Sequence, residues 1–213
     1  MSSANESVSD RPEKLGLREK KSARSRQLMI SVALDLFMKH GYENTTMEKI
    51  AEVAEVGTST LYRYFPSKDL LILDRIIGMM NLGERLRKRP DNEALDIALG
   101  QVLVSVAREA DDPAMRMNEI RQIVDKSTDL RVRFWDYALT IRSDLEAALA
   151  ERMDRPMIDW SVRATAAIML DILQMTDEIC KERNYKNTSS QIVREIVDGL
   201  SPHQLVFPVI DRR

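Results

Sequence analysis

Between Thr58 and Lys68 the sequence reads T-S-T-L-Y-R-Y-F-P-S-K. On a helix, Leu61 and Phe65 stand four apart on one side, and Thr58, Ser59, Tyr62 and Arg63 occupy the other. Small hydroxyls, a phenol and a guanidinium on one face can approach base edges and phosphates without a steric bar. The same inventory argues against catalysis. The chain has two His and one Cys, and it lacks a nucleophile motif, a glycine-rich phosphate loop and metal-ligand spacing. No enzyme activity, metal or cofactor is expected. His40 borders an apolar stripe at a helix end, where a half-buried capping role is expected rather than ligation, because His203 is the only other His.

The elements that must position this face are short. Thr46 is placed to N-cap a helix whose Ile50, Ala51 and Ala54 repeat at helical spacing. Val56-Gly57 supplies the break, Thr58 to Phe65 forms the second helix, and Pro66 ends it. Ser67 can cap the next helix, with Lys68 at its N-terminus. Upstream, a helix from about Leu17 or Lys20 to His40 buries Met29, Ala33, Leu36 and Phe37, and Gly41 is its C-cap glycine. Tyr42 is expected to pack under the hairpin. A basic run (Arg11, Lys14, Arg18, Lys20, Lys21, Arg24 and Arg26) precedes the hairpin against only Glu13 and Glu19, although the whole chain carries a net charge of −2. Arg24 and Arg26 are the members expected to reach phosphates; Arg11 and Lys14 read as a solvated tail. The first fourteen residues are Ser-rich and polar, a composition that suits disorder.

The pattern T-x-x-x-I-A-x-x-A-x-V-x-x-x-T-L-Y-x-Y-F-x-S-K, from Thr46 to Lys68, resembles the helix-turn-helix of the TetR family of transcriptional repressors. In motif terms the resemblance covers Gln27 to Leu73. It implies an all-α fold: a polar tail over 1–16, a three-helix DNA-binding unit over 17–66, and a helical ligand-binding and dimerisation domain over 67–213. It also implies roles by position. Thr46, Thr60, Tyr64 and Lys68 would meet phosphates. Thr58, Ser59 and Arg63 would meet base edges, Arg63 being the guanine candidate. Tyr62 would lay its ring on a thymine methyl or a sugar. Met47 stands where related proteins often carry a base-reading residue, so no readout is expected there. Glu55 occupies the turn position where the family often has Gly; a left-handed backbone there costs a non-glycine residue roughly 1 kcal/mol.

The remaining chain reads as helices, about nine in all, with no repeats and no strand-like alternation. One helix from Lys68 or Asp69 is expected to run to the basic end Arg85–Arg89; Gly78 and Gly83 lower its propensity, and the resemblance implies that it is the lever between the two parts. Further helices are expected over about 93–109, after Asp112-Pro113, over 130–153, from Pro156 to about Arg183, and over 189–200. The helix from Pro156 has an apolar surface much wider than one bundle core requires, which asks for a second partner. Ala164, Ile168, Ile172, Ile192 and Ile196 are the candidate residues of a homodimer interface, in agreement with the four-helix interface that the resemblance implies. Asp171, beside Gln174 and Glu178 on the wheel, is expected to be exposed. The tail Leu205–Ile210 is apolar and should pack on something.

Two-fold pairing predicts a pseudo-palindromic operator on double-stranded DNA. The resemblance further implies an effector pocket in the C-terminal bundle. Twelve Met residues make an adaptable apolar lining available. Met79, Met115, Met169, Trp135, Asn118 and Tyr137 are the pocket candidates, with Met117, Met175 and Trp160 behind them, and the ligand expected is mainly apolar. The alternative is a helical DNA-binding or interaction protein controlled by a protein partner, with no small-molecule ligand. The single Cys180, a polar first twenty residues and no apolar run of membrane-spanning length fit the cytoplasm.

Overall fold

The computed structural model describes residues 16–200, without the side chains of Leu17 and Arg18. Arg11, Lys14, the side chain of Arg18, the polar segment 1–15 and the tail Leu205–Ile210 lie outside the described residues. Within them the chain is all-helical: α1 (Leu17–His40), α2 (Met47–Val53), α3 (Thr58–Tyr64), α4 (Leu70–Met79), α5 (Leu82–Arg87), α6 (Leu95–Ala110), α7 (Met117–Lys126), α8 (Thr128–Met153), α9 (Trp160–Glu182) and α10 (Ser189–Gly199), with a 3-10 turn over Pro113–Met115.

The first three helices pack as the apolar spacing requires. Met29, Ala33, Leu36 and Phe37 of α1 are buried with Ile50, Ala51 and Ala54, and Leu61 and Phe65 close the cluster from the other side. Gly41 ends α1 with φ 86, a left-handed conformation that glycine adopts without penalty. Tyr42 tilts against Phe37 with ring centroids 5.1 Å apart. His40, expected to be half-buried, is exposed at the helix end, where its carbonyl accepts from Asn44.

The lever expected as one helix is two. α4 stops at Met80, and α5 begins after Asn81, whose ψ of 63 leaves the helical region. The two halves have different hosts. α4 lies between α1 on one side and α6 and α8 on the other, whereas α5 lies along the C-terminal half of α8, where Arg87 bonds Asp144 and Glu151 at 2.8 and 3.0 Å. Gly83 makes the second contact feasible: a Cβ there would stand 2.6 Å from the Asp144 carbonyl oxygen. Gly83 therefore acts through close approach, whereas Gly78 has open space around it.

The other departure is at 154–159. Asp154 adopts φ 50 and closes α8, and Asp159, not Asp154, caps α9 by accepting from the Ser161 amide at 2.7 Å. At Asp112-Pro113 the Asp112 carboxylate accepts from the Ala114 amide at 2.8 Å and starts the 3-10 turn, and the helix expected there, α7, follows at Met117. Helices α6, α8, α9 and α10 form the bundle behind, and α7 bridges it to α1.

Candidate nucleic-acid interface

The candidate interface is built from the hairpin outward. Thr46 caps α2, its hydroxyl accepting from the Lys49 amide at 3.2 Å, while Met47 turns into the core, so the thioether is unavailable to a groove. At the turn, Glu55 does adopt φ 54, and the Val56 amide reaches back to the Ala51 carbonyl at 3.0 Å. The hydrogen bond and the buried flanking residues Ala54 and Leu61 hold a conformation that glycine would take at lower cost. Gly57 then starts α3.

On α3 the two sides separate cleanly. Leu61 and Phe65 are fully buried, and Thr58, Ser59, Tyr62 and Arg63 are exposed together on the opposite side. Thr60 and Tyr64 flank that face half-buried, and the Tyr64 hydroxyl lies 3.0 Å from that of Ser22 on α1. The guanidinium of Arg63 sits 5.8 Å from the Tyr64 ring centroid with its donors in solvent. Lys20, Lys21 and Arg24 are exposed on the first turns of α1 and supply positive charge beside this face. Nothing in the sequence signalled Ser22 as a partner of Tyr64, because their separation is tertiary.

Two expected phosphate contacts, Arg26 and Lys68, have partners within the chain. Arg26 donates to Asp74 of α4 from two nitrogens, Nε at 3.1 Å, and its guanidinium lies 4.7 Å over the Phe65 ring. The ion pair ties α1 to α4 at a half-exposed position. Lys68 donates to the carbonyls of Tyr42 and Thr45 at 2.8 and 3.1 Å, and its ammonium sits 4.1 Å from the Tyr42 ring. Lys68 thus fastens the α1–α2 turn. In the same cluster, burial first, then the nearby Asp69 and Glu43 carboxylates, push the Tyr42 phenol well above its ordinary range, so it stays protonated.

The other candidate sets divide as well. Of the dimer candidates, Ala164 and Ile168 are exposed on α9, Ile196 is half-buried, and Ile172 and Ile192 belong to the protomer's own core. With Trp160, which is 79% exposed, the outward line on α9 is Trp160, Ala164, Ile168 and Asp171. Of the pocket candidates, Met79 and Met169 are buried, Met115 and Tyr137 half-buried, and Asn118 exposed, bonded to Arg121 at 3.1 Å. Trp135 points away from the bundle at 65% exposure, so it lines no interior cavity. The six do not surround one cavity. Asn118 instead lines a cleft of about 390 Å³ between the α6–α7 connection and the turn before α10. Among the described residues no cluster of three metal-ligating side chains occurs, and no helix is long and apolar enough to cross a membrane.

A family model described as bacterial regulatory proteins, tetR family, matches residues 29–74. The chain is 48% identical over 61 residues to the HTH-type transcriptional regulator TcmR of Streptomyces glaucescens, covering 29% of this chain and 27% of that protein. It is 32% identical over 88 residues to the HTH-type transcriptional repressor KstR of Rhodococcus jostii, covering 39% and 42% respectively. The matches thus span about a quarter to two-fifths of those relatives. A solved structure of the transcriptional regulator FadR from Bacillus subtilis, in complex with stearoyl-CoA, is similar in fold, with TM-score 0.58, 16% identity, and coverage of 81% of this chain and 96% of that one.

Proposed function

We propose that the chain is a DNA-binding transcriptional repressor of the TetR family of bacterial regulatory proteins, working as a homodimer on a pseudo-palindromic operator. The observation that carries this reading is the exposed face of α3, where Thr58, Ser59, Tyr62 and Arg63 stand opposite the fully buried Leu61 and Phe65. Arg63 reads a guanine, Thr58 and Ser59 meet neighbouring base edges, and Tyr62 lies against a thymine methyl or sugar. Thr46, Thr60 and Tyr64 bond phosphates, with Arg24 and the α1 lysines completing the electrostatic contact. The division of labour falls between the three-helix unit, to about residue 66, and the bundle behind it.

A single short helix reads only a few base pairs, so two copies are needed for a specific site. The line Trp160, Ala164 and Ile168 on α9, with the exposed Val197 on α10, supports a two-fold pairing of those helices. Release follows when a small effector binds the bundle more tightly in the form whose recognition helices no longer match the operator spacing. A mainly apolar effector is the reading that the Met-rich interior favours.

Selection of bound fragments from a random duplex pool tests this. A two-fold motif with one recognition step per half-site is the expected result; retention without sequence preference would refute it.

A further inference from the structure

Helix α7 lies alongside α1, and the residue flanking each of its ends is bonded to the N-terminal unit. At the front, Arg116 Nη1 donates to the Ser31 carbonyl and to the Ser31 hydroxyl, both at 3.2 Å, and Nη2 donates to Asp35 at 2.6 Å. Glu119, one turn into α7, holds the same guanidinium, with Nε to Oε1 at 2.9 Å. At the rear, the Ser127 hydroxyl donates to Glu43 at 2.6 Å, just past the end of α1. The spacing from Ser31 to Glu43 matches that from Arg116 to Ser127 to within one residue, so the two segments run parallel, bonded at both ends. Arg75 of α4 adds a bond to the Ala114 carbonyl, in the turn that leads to Arg116.

Arg116 is also left-handed, with φ 53. A non-glycine residue keeps such a backbone where its surroundings over-determine it, and here those surroundings are contacts across the boundary between the N-terminal unit and the bundle. None of these groups lies on the outward face of α3.

Resting on the DNA-binding reading above, we infer that Arg116 is a positioning residue for operator recognition: with Ser127 it splints α7 to α1 and so fixes the angle at which the bundle presents α3. The helical path through α4 and α5 is interrupted at Met80–Asn81, so it is not one rigid rod between the two parts. Rotation of the N-terminal unit about the break must part both clips.

The test compares the selected full operator with an isolated half-site, for the wild type, Arg116→Ala, and Asp35→Asn, whose exposed position spares the fold. The splint requires each variant to lose affinity on the full site, by about tenfold for Arg116→Ala. Half-site binding stays within about twofold, the wild-type preference for one half-site spacing flattens, and Arg116→Lys recovers part of it. Equal losses on half-site and full site, or an unchanged spacing preference, would overturn the assignment. A second arm needs no DNA: spin labels at Glu48→Cys on α2 and Asp136→Cys on α8, in protein diluted with unlabelled chain, give a narrow distance distribution that Arg116→Ala broadens. A broadened distribution in a protein that selects no duplex would keep the splint and reject the DNA reading; an unbroadened one would reject the splint.

Discussion

The outward faces of α3 and α9 are both uncovered in a single chain, yet they differ in kind. On α3 the groups left in water are two hydroxyls, a phenol and a guanidinium; on α9 they are Trp160, Ala164 and Ile168. Water satisfies the first set, so that face is stable while it waits for a partner and exchanges one set of hydrogen bonds for another on binding. Apolar surface is different: each square ångström left in water forgoes about 25 cal/mol. The contrast suits the partners proposed above, a reversible polyanion for α3 and a standing second copy for α9.

Salt separates the two most strongly. Raising it from about 50 to 200 mM should weaken duplex binding by orders of magnitude through counterion release, while the dimer measured by sedimentation stays intact. Equal sensitivity would erase the contrast. Next in size is Ile168→Asp. Two-fold symmetry places the new charge in the interface twice, at a cost of several kcal/mol, so the variant should sediment as a monomer and bind the full operator at least about 100-fold more weakly. A dimeric variant would move the interface elsewhere.

Two cations sharpen the α3 side. Arg63→Ala should lose about 1–3 kcal/mol on the selected site and relax preference at one position, read by anisotropy titration. Lys68→Ala should instead lower unfolding stability by about 1–3 kcal/mol, because the partly buried Tyr42 and Thr45 carbonyls lose their donor, with sequence preference kept. Reversed outcomes would exchange their roles. The smallest effect is at Glu55. Glu55→Gly relieves the left-handed backbone at φ 54 but adds unfolded-state freedom, for a net gain of about 0.5–1 kcal/mol in denaturation, with DNA affinity unchanged.

What the sequence disclosed follows the range of the interactions. Helical spacing is local, so the burial of Leu61 and Phe65, the cap at Thr46 and the glycine at Gly41 could be read from neighbours along the chain, whereas the left-handed turn at Glu55 was legible only through the family resemblance. The intramolecular partners of Arg26 and Lys68 were not legible because Asp74 and the Tyr42 and Thr45 carbonyls become their neighbours only on folding. The break at Met80–Asn81 has the same origin. Gly83 looked like a weak helix residue, but its missing side chain lets α5 approach Asp144. A wheel also cannot say which apolar side faces the protomer's own core: Ile172 and Ile192 face inward while Trp135 and Trp160 face out.

The most direct test of the central claim is operator affinity after insertion of about five base pairs, half a helical turn, between the two half-sites. Two copies of α3 held at fixed separation by the α9–α10 face require affinity to fall to that of one half-site and to return when about ten base pairs are inserted and the DNA can flex. Affinity indifferent to the insertion would contradict the account.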